Sequence, residues 1–447
     1  MHKVHHHRLP TRAHKLTGYA AKRLDHYLHI EAMSGIVLII AAAAALIWAN
    51  SSHGQSYIDL WNTQLGISFG SYSFSWDLHF WVNDILMTFF FLVAGMEIRR
   101  EIHEGALSNF KQASLPLVAA LGGVLMPAII YSIFNFDPAR HHGWAIPTAT
   151  DIAFAVGILA LLGKSIPGNV RVILLSLAII DDVIAVLIIA LFYSSGIEMH
   201  GLAISAFAIV LVFYMQWMGI YNAWFYCIPG AILWWGLYQT GIHPSLAGVV
   251  LGMLTTALPE TSNKAPLDRL QNAVSKLTED NNKTDIDYDK INHSLKEIQI
   301  SQRKVLPPVT RIQMGLHKWV AYGVMPLFAF TNAGVAFSGI DFTHGGVTMV
   351  MIGVTLGLFV GKPLGIFLAS FIAVKLGLCR LPPHVSWGGI ILVGLLAGVG
   401  FTMAIFVSML AFQDQTLLAG AKIAVLLGSF LSAITGLIYG YFYKKQF

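Results

Sequence analysis

Long apolar runs, separated by short polar clusters, dominate this chain. A hydrocarbon core about 30 Å thick is crossed by a helix of about 20 mostly apolar residues. Twelve stretches read as such spans: 30–49, 78–98, 113–134, 143–163, 172–193, 201–218, 222–239, 241–259, 319–339, 346–375, 386–411 and 417–443. Several are short or rich in glycine. Glu260 to Lys318 is the only long polar segment, and it mixes charges of both signs. The pattern predicts an all-α polytopic membrane protein in five parts. These are a basic N-terminal arm (1–29), spans one to eight (30–259), a polar loop (260–318), spans nine to twelve (319–443) and a short tail (444–447).

Composition agrees. Of 447 residues, 56% are hydrophobic and only 11% charged, against about 25% charged in a soluble domain. The net charge of +5 does not point to nucleic acid, because the bases are not gathered on one soluble face. Placing the N-terminus inside puts 25 of the 28 Lys and Arg in inner segments. Arg140 is then the only outer base, with Lys362 and Lys422 inside spans. This positive-inside bias predicts cytoplasmic N- and C-termini. The basic N-terminus has no apolar core or cleavage site, so it is not read as a signal peptide; an arm lying at an anionic lipid surface fits it better. No nucleotide-binding glycine loop or Walker motif occurs, so the chain gives no support for ATP as energy source. Cys227 and Cys379 lack metal spacing and are not expected to form a disulfide. Asp285, Asp287 and Asp289 alternate as in a calcium loop, but the glycine and final glutamate of that loop are missing. The polar loop is read instead as flexible, with a short amphipathic helix near Leu267–Leu277.

The chemistry lies in the charges that interrupt the apolar runs. Asp181 and Asp182 stand in the middle of span five. Inserting one ionisable group at that depth costs about 2.5 kcal/mol or more, so the pair reads as an ion or proton site rather than a packing feature. Asp84 and Glu97 lie in span two, with Arg99, Arg100 and Glu101 following. Asp151 follows Pro147, Thr148 and Thr150, while Lys362 is flanked by Gly361, Pro363 and Gly365. Span eleven carries Gly394, Gly398 and Gly400 before Thr402. Proline removes a backbone donor and glycine weakens a helix, so unwound backbone is expected at all three places. Broken helices expose positive N-terminal and negative C-terminal ends, which a buried aspartate and a buried lysine respectively neutralise. Close helix packing through small residues accounts for the glycines of span eleven alone, but not for Asp151 or Lys362. Spans four and eleven are the middle members of the triplets three-to-five and ten-to-twelve. Interrupted helices in such corresponding positions point to a transporter built from inverted repeats with crossed discontinuous helices.

These residues resemble the NhaA-type Na+/H+ antiporter family, itself a standing example of that architecture. The matching stretches are Asn83-Asp84, Gly95 to Glu101, Ala149 to Ala155, Leu177 to Asp182, Pro326 to Gly334, Gly361 to Gly365 and Gly398 to Met403, in family order. The resemblance implies a cytoplasmic funnel ending at the aspartate pair. Asp182 matches the principal sodium ligand and proton carrier, and Asp181 its neighbour, which binds the ion or pairs with the lysine matched by Lys362. Thr150 and Asp151 match the break in span four. Glu97, Arg100 and Glu101 match one half of the pH-sensing region, and His243 a further histidine. The other half keeps His317, whereas Gln313 and Met314 cannot titrate near neutrality, so altered pH activation is expected. The polar loop is a second departure and reads as an insertion. The resemblance further implies electrogenic exchange of Na+, and of Li+, for H+ without a cofactor, in a homodimer in the bacterial inner membrane. Residues 50–77 are then the candidate segment joining the protomers.

Na+ is a hard cation suited to carboxylate and carbonyl oxygen. Two adjacent carboxylates titrate as a coupled pair. Competition of Na+ and H+ for that pair, with alternating access, suffices for antiport. Three rival readings fit less well. A sodium-coupled symporter of organic anions needs cationic groups for the anion, and Lys362 is the only mid-span base identified for that role. An intramembrane aspartyl protease needs aspartates facing each other from different helices, whereas neighbours on one helix point about 100° apart. A channel would show a filter or a ring of charges.

Overall fold

Inside a bilayer every backbone N–H and C=O must be satisfied within the chain, and helices are one of two ways to do it. The computed structural model describes residues 33–256 and 308–445, apart from 71, 106, 107, 109, 164, 165, 195, 197, 221, 222 and 338–344, together with Ser275. The N-terminal arm, the helix expected near 267–277 and the aspartates at 285, 287 and 289 lie outside the described residues.

The chain enters with α1, Met33–Ala49, which bends by 115° into α2, Gly54–Trp61. The Tyr57 hydroxyl fixes this elbow by donating to the carbonyls of Phe330 and Thr331, each at 2.7 Å. Next comes an antiparallel hairpin, β1 (Gln64–Phe69) and β2 (Tyr72–Asp77), with Gln64 opposite Asp77. It is the one sheet among the described residues of an otherwise helical protein. α3, Leu78–His103, starts where the Asp77 carboxylate accepts from Phe80 N, and contains a π stretch at Trp81–Leu86. α4, Phe110–Phe134, is followed by the pair α5, Pro138–Thr148, and α6, Ile152–Leu161. α7 is Gly168–Phe192, α8 Met199–Trp217, α9 Cys227–Thr240 and α10 Leu246–Leu254. Gly241 ends α9 in the left-handed region, at φ 78°, where a side chain would be strained.

After the polar segment, α11, Pro308–Trp319, passes through a π stretch at Val320–Val324 into α12, Met325–Asn332. The helix thus begins ahead of the span expected at 319. Its first turns carry Arg311, Gln313, His317 and Lys318 and are amphipathic, so an apolar run does not mark them. α13 is Gly346–Lys375, α14 Trp387–Ala397, α15 Phe401–Ala411 and α16 Gln415–Lys444. Asp414 caps α16, and hydrogen bonds from the Thr416 hydroxyl and from the Thr416 and Leu417 amides hold its carboxyl below the usual carboxylate range.

Six helices are long and apolar enough to cross a membrane, or up to nine if each bent pair is one span, among the described residues. That is fewer than the twelve expected. α10, for example, has 9 residues, about 14 Å of helix against a core of about 30 Å. The outward faces are apolar, with Ile47, Leu125, Val210 and Phe430 exposed, as suits contact with lipid chains.

The helix that holds the buried Lys362 is closely approached by a neighbour. α4 crosses α13 at Gly122 and Gly365, where a Cβ on either would run into the other's carbonyl oxygen. The same face of α13 carries Lys362, one turn earlier. Gly365→Val is therefore expected to lower stability by about 1–3 kcal/mol through overpacking and to displace Lys362. Thermal unfolding in detergent measures the first effect, and a melting temperature equal to the native protein's would contradict it.

Candidate functional site

Two helix breaks meet in the centre of the protein. α5 and α6 bend by 42° across Ala149 to Asp151, and α14 and α15 by 50° across Gly398 to Gly400. The third expected break is absent. α13 continues past Lys362, with only a π stretch at Gly357–Gly361 before it. Pro363 stands in the first turn of the α-helical segment that follows, where its missing N–H is tolerated.

Asp151 ties the two breaks together. Its amide donates to the Val399 carbonyl at 2.8 Å. Its Oδ1 accepts from Phe154 N at 3.1 Å, capping α6. Its Oδ2 accepts from Thr402 N at 3.1 Å and from the Thr402 hydroxyl, at the start of α15. One carboxylate thus faces two helix N-termini, whose partial positive charges it offsets. Lys362 answers one of the opposite ends, donating to the Thr148 carbonyl at the end of α5.

Asp181 and Asp182 come from the middle of α7, and both are buried. Asp181 Oδ2 lies 3.0 Å from Lys362 Nζ and accepts from Thr150 Oγ1 at 2.7 Å. Asp181 Oδ1 is buried without a hydrogen bond. The lysine is wholly buried, 0% exposed, and such a pair is held by its countercharge. Asp182 differs: among the described residues it has no hydrogen bond or ion pair. It lines a cavity of about 70 Å³ with Glu97, Thr150, Asp151, His317 and Met403. A single water needs only about 10–15 Å³ of such space. The local charge balance follows. Helix ends offset Asp151, Lys362 offsets Asp181, and Asp182 has no such partner.

The remaining sequence-predicted residues divide between two places. Glu97 and His317 line the Asp182 cavity, and Arg100 lies 3.7 Å from Glu97. Glu101 is one turn further along α3. Gln313 is buried, with Oε1 lacking a hydrogen bond, whereas Met314 is 51% exposed and points away. His243 is elsewhere. Its Nε2 lies 3.6 Å from Asp84 Oδ1, and its Nδ1 2.7 Å from Ser245 Oγ. Beside it the amides of Asn83 and Asn332 bond each other, at 2.7 and 3.3 Å.

Between this polar cluster and the Asp182 cavity stand three buried aromatic rings. Phe406 lies 5.3 Å from Phe91, 6.2 Å from Phe328 and 5.3 Å from the His243 ring. Along α15 the order is Met403 at the cavity, then Phe406, then Met409 against Asn83. Along α3 it is Glu97 at the cavity, then Phe91, then Asp84. The sequence marks Asp84 and Thr402 by their setting and His243 by resemblance, but not the Asn83–Asn332 pair or the contact between Asp84 and His243. Asn83 and Asn332 are polar residues inside apolar runs, and that is the signal by which sequence reasoning finds them.

The sequence profile of a family described as Na+/H+ antiporter 1 matches residues 25–439. The Na(+)/H(+) antiporter NhaA of Bartonella tribocorum is 60% identical over 439 residues, covering 98% of this chain and 96% of that protein. The protein of the same name from Bartonella henselae is likewise 60% identical over 439 residues, with 98% and 96% covered. That of Cupriavidus necator is 55% identical over 434 residues, covering 97% of this chain and 93% of the other.

Proposed function

Since this chain belongs to the Na+/H+ antiporter 1 family, we propose that it exchanges Na+ for H+ across a bacterial membrane, with Asp182 and Asp181 as the shared ion and proton site. The observation that carries this reading is Asp182, a buried carboxylate that faces a cavity and has no hydrogen bond or ion pair among the described residues. A sodium ion or a proton supplies the missing charge, and the two exclude each other because each occupies the same oxygens. Thr150, Asp181 and the Ala397 carbonyl are oxygen donors within the same hydrogen-bonded group. Lys362 and Asp151 compensate the charges of the helix ends and of Asp181. The protein is a transporter, not an enzyme.

The finer reading follows the family. Na+ leaves the cytoplasm and external H+ enters, Li+ is a second substrate, and no cofactor takes part. More protons than sodium ions cross per cycle, so each net charge gains about 2.3 kcal/mol per 100 mV of membrane potential. Twelve helices, in inverted repeats crossing at the two breaks, span the inner membrane with both termini in the cytoplasm. Two copies join as a homodimer through residues 50–77, which hold α2 and the hairpin.

The test is dissipation of a pH gradient by added Na+ in proteoliposomes between pH 6 and 9. Native protein is expected to respond, and a silent, correctly inserted protein would turn attention to organic anions. The same assay gives the pH profile. Glu97 and His317 line the cavity, but Gln313 and Met314 add no titrating group to α11. Gln313→Glu is expected to shift the midpoint of activation, because a carboxylate would then be buried on the helix that carries His317. An unchanged midpoint would remove position 313 from pH control.

A further inference from the structure

One charge inside a span is not used by the ion site: Lys422, two turns into α16. The bond from Phe401 N to Ser429 Oγ, 3.0 Å long, joins the start of α15 to the middle of α16 and sets the two helices antiparallel. Seven residues along each helix from that bond, Lys422 comes level with Ser408, between Phe406 at the rings and Met409 at Asn83. It therefore stands on the far side of the three aromatic rings from the Asp182 cavity. Side chains on a helix lean toward its N-terminus, which carries the Lys422 ammonium further from the rings and into the polar cluster. Its charge acts on His79, whose ring meets the Asn83 amide at 3.0 Å. The nearby carboxylates are engaged elsewhere: Asp77 caps α3, and Asp84 lies against His243. Among the described residues Lys422 has no hydrogen bond or ion pair, and it is only partly exposed. An ammonium held partly out of water without a partner costs stability that an apolar side chain would not, so packing alone does not account for it.

We propose that Lys422 weights the outer passage against Na+, so that a sodium ion that has passed the rings is released rather than recaptured. The inference rests on the exchange reading and on its assignment of this end to the outside. A sodium ion crossing from the Asp182 cavity meets the amide oxygens of Asn83 and Asn332 and the carboxylate of Asp84, all of them groups that attract it. A fixed positive charge beside these oxygens opposes that attraction, and between low-dielectric walls its field reaches further than in water. The charge cannot alter the equilibrium set by the two gradients. It divides the Na+ affinities unequally between the two faces.

Membrane vesicles of both orientations, prepared from cells without other Na+/H+ antiporters, separate the faces. Sodium added to right-side-out vesicles reaches the outer face, and sodium added to inverted vesicles the cytoplasmic one. Lys422→Met is expected to lower the half-saturating Na+ concentration about tenfold at the outer face and to leave it as in the native protein at the cytoplasmic face. Lys422→Arg is expected to match the native protein at both. No change at the outer face in Lys422→Met, or equal changes at both faces, overturns the proposal; a purely structural role would move both together. Should Lys422→Met fold poorly, Lys422→Cys in a background of Cys227→Ser and Cys379→Ser tests the charge within one folded protein. Added from outside, an ammonium-bearing thiosulfonate is expected to raise the outer half-saturation toward the native value, and an uncharged one of similar size is not. Equal effects from the two reagents, or none from either, refute the role of the charge. Absence of exchange by the native protein would instead remove the exchange reading, and this inference with it.

Discussion

Asp182→Asn abolishes sodium-driven proton movement, down to the background of empty liposomes, in a protein that still folds and inserts. The amide matches the carboxylate in size, so the packing of α7 is kept. It carries no charge and takes up no proton near neutrality, so the residue can neither balance a sodium ion nor exchange it for a proton. Folding should not suffer, because Asp182 makes no hydrogen bond or ion pair with the described residues, and the cavity beside it receives the new amide. Gradient dissipation in proteoliposomes and melting in detergent, measured on the same preparation, separate the two claims. Normal flux in Asp182→Asn would sink the assignment of this carboxylate.

The second large effect falls on stability. Lys362→Ala leaves the Asp181 carboxylate buried without its cation, 3.0 Å away in the native protein, and leaves the Thr148 carbonyl without its donor. Breaking a buried ion pair by removing one partner costs about 3–5 kcal/mol. Adding Asp181→Asn removes the stranded charge, so Lys362→Ala with Asp181→Asn is expected to melt above Lys362→Ala alone. The recovery is the coupling between the two sites, as a double-mutant cycle measures it. An unchanged melting temperature in the single variant, or no recovery in the double one, would show that the pair does not hold the site together.

The two effects trace to signals of unequal legibility. Asp181 and Asp182 stand out because a charge inside an apolar run is costly, and that cost is visible without any structure. Asp151 and Lys362 are marked by the same cost and by the prolines beside them. The bends at Ala149 to Asp151 and at Gly398 to Gly400 follow from Pro147 and from the glycines. The continuity of α13 through Lys362 does not, because a π stretch absorbs Pro363 and its presence depends on the neighbours of the helix. The resemblance leaves Asp181 either to bind the ion or to pair with Lys362, and in the structure its Oδ2 lies 3.0 Å from the lysine. Contacts such as Asp151 with Thr402, 251 residues apart, or Asn83 with Asn332, 249 apart, depend on how helices cross. No local pattern encodes them. The amphipathic opening of α11 hid in the polar loop for a related reason: its buried face became apparent only against α3.

The fastening at Asp151 has a mechanical consequence. Its amide grips Val399 and its carboxylate grips Thr402, so the two broken segments are joined at two points rather than one. A single point would be a pivot; two points remove the freedom to swivel. Neither segment can then slide or tilt on its own without parting those bonds, and the pair moves as one rigid block. Displacement that carries the site from one side to the other must be taken up at the surfaces that block slides against. Spin labels placed on α6 and α15 should accordingly keep a constant separation through the cycle, while either one changes its distance to α3.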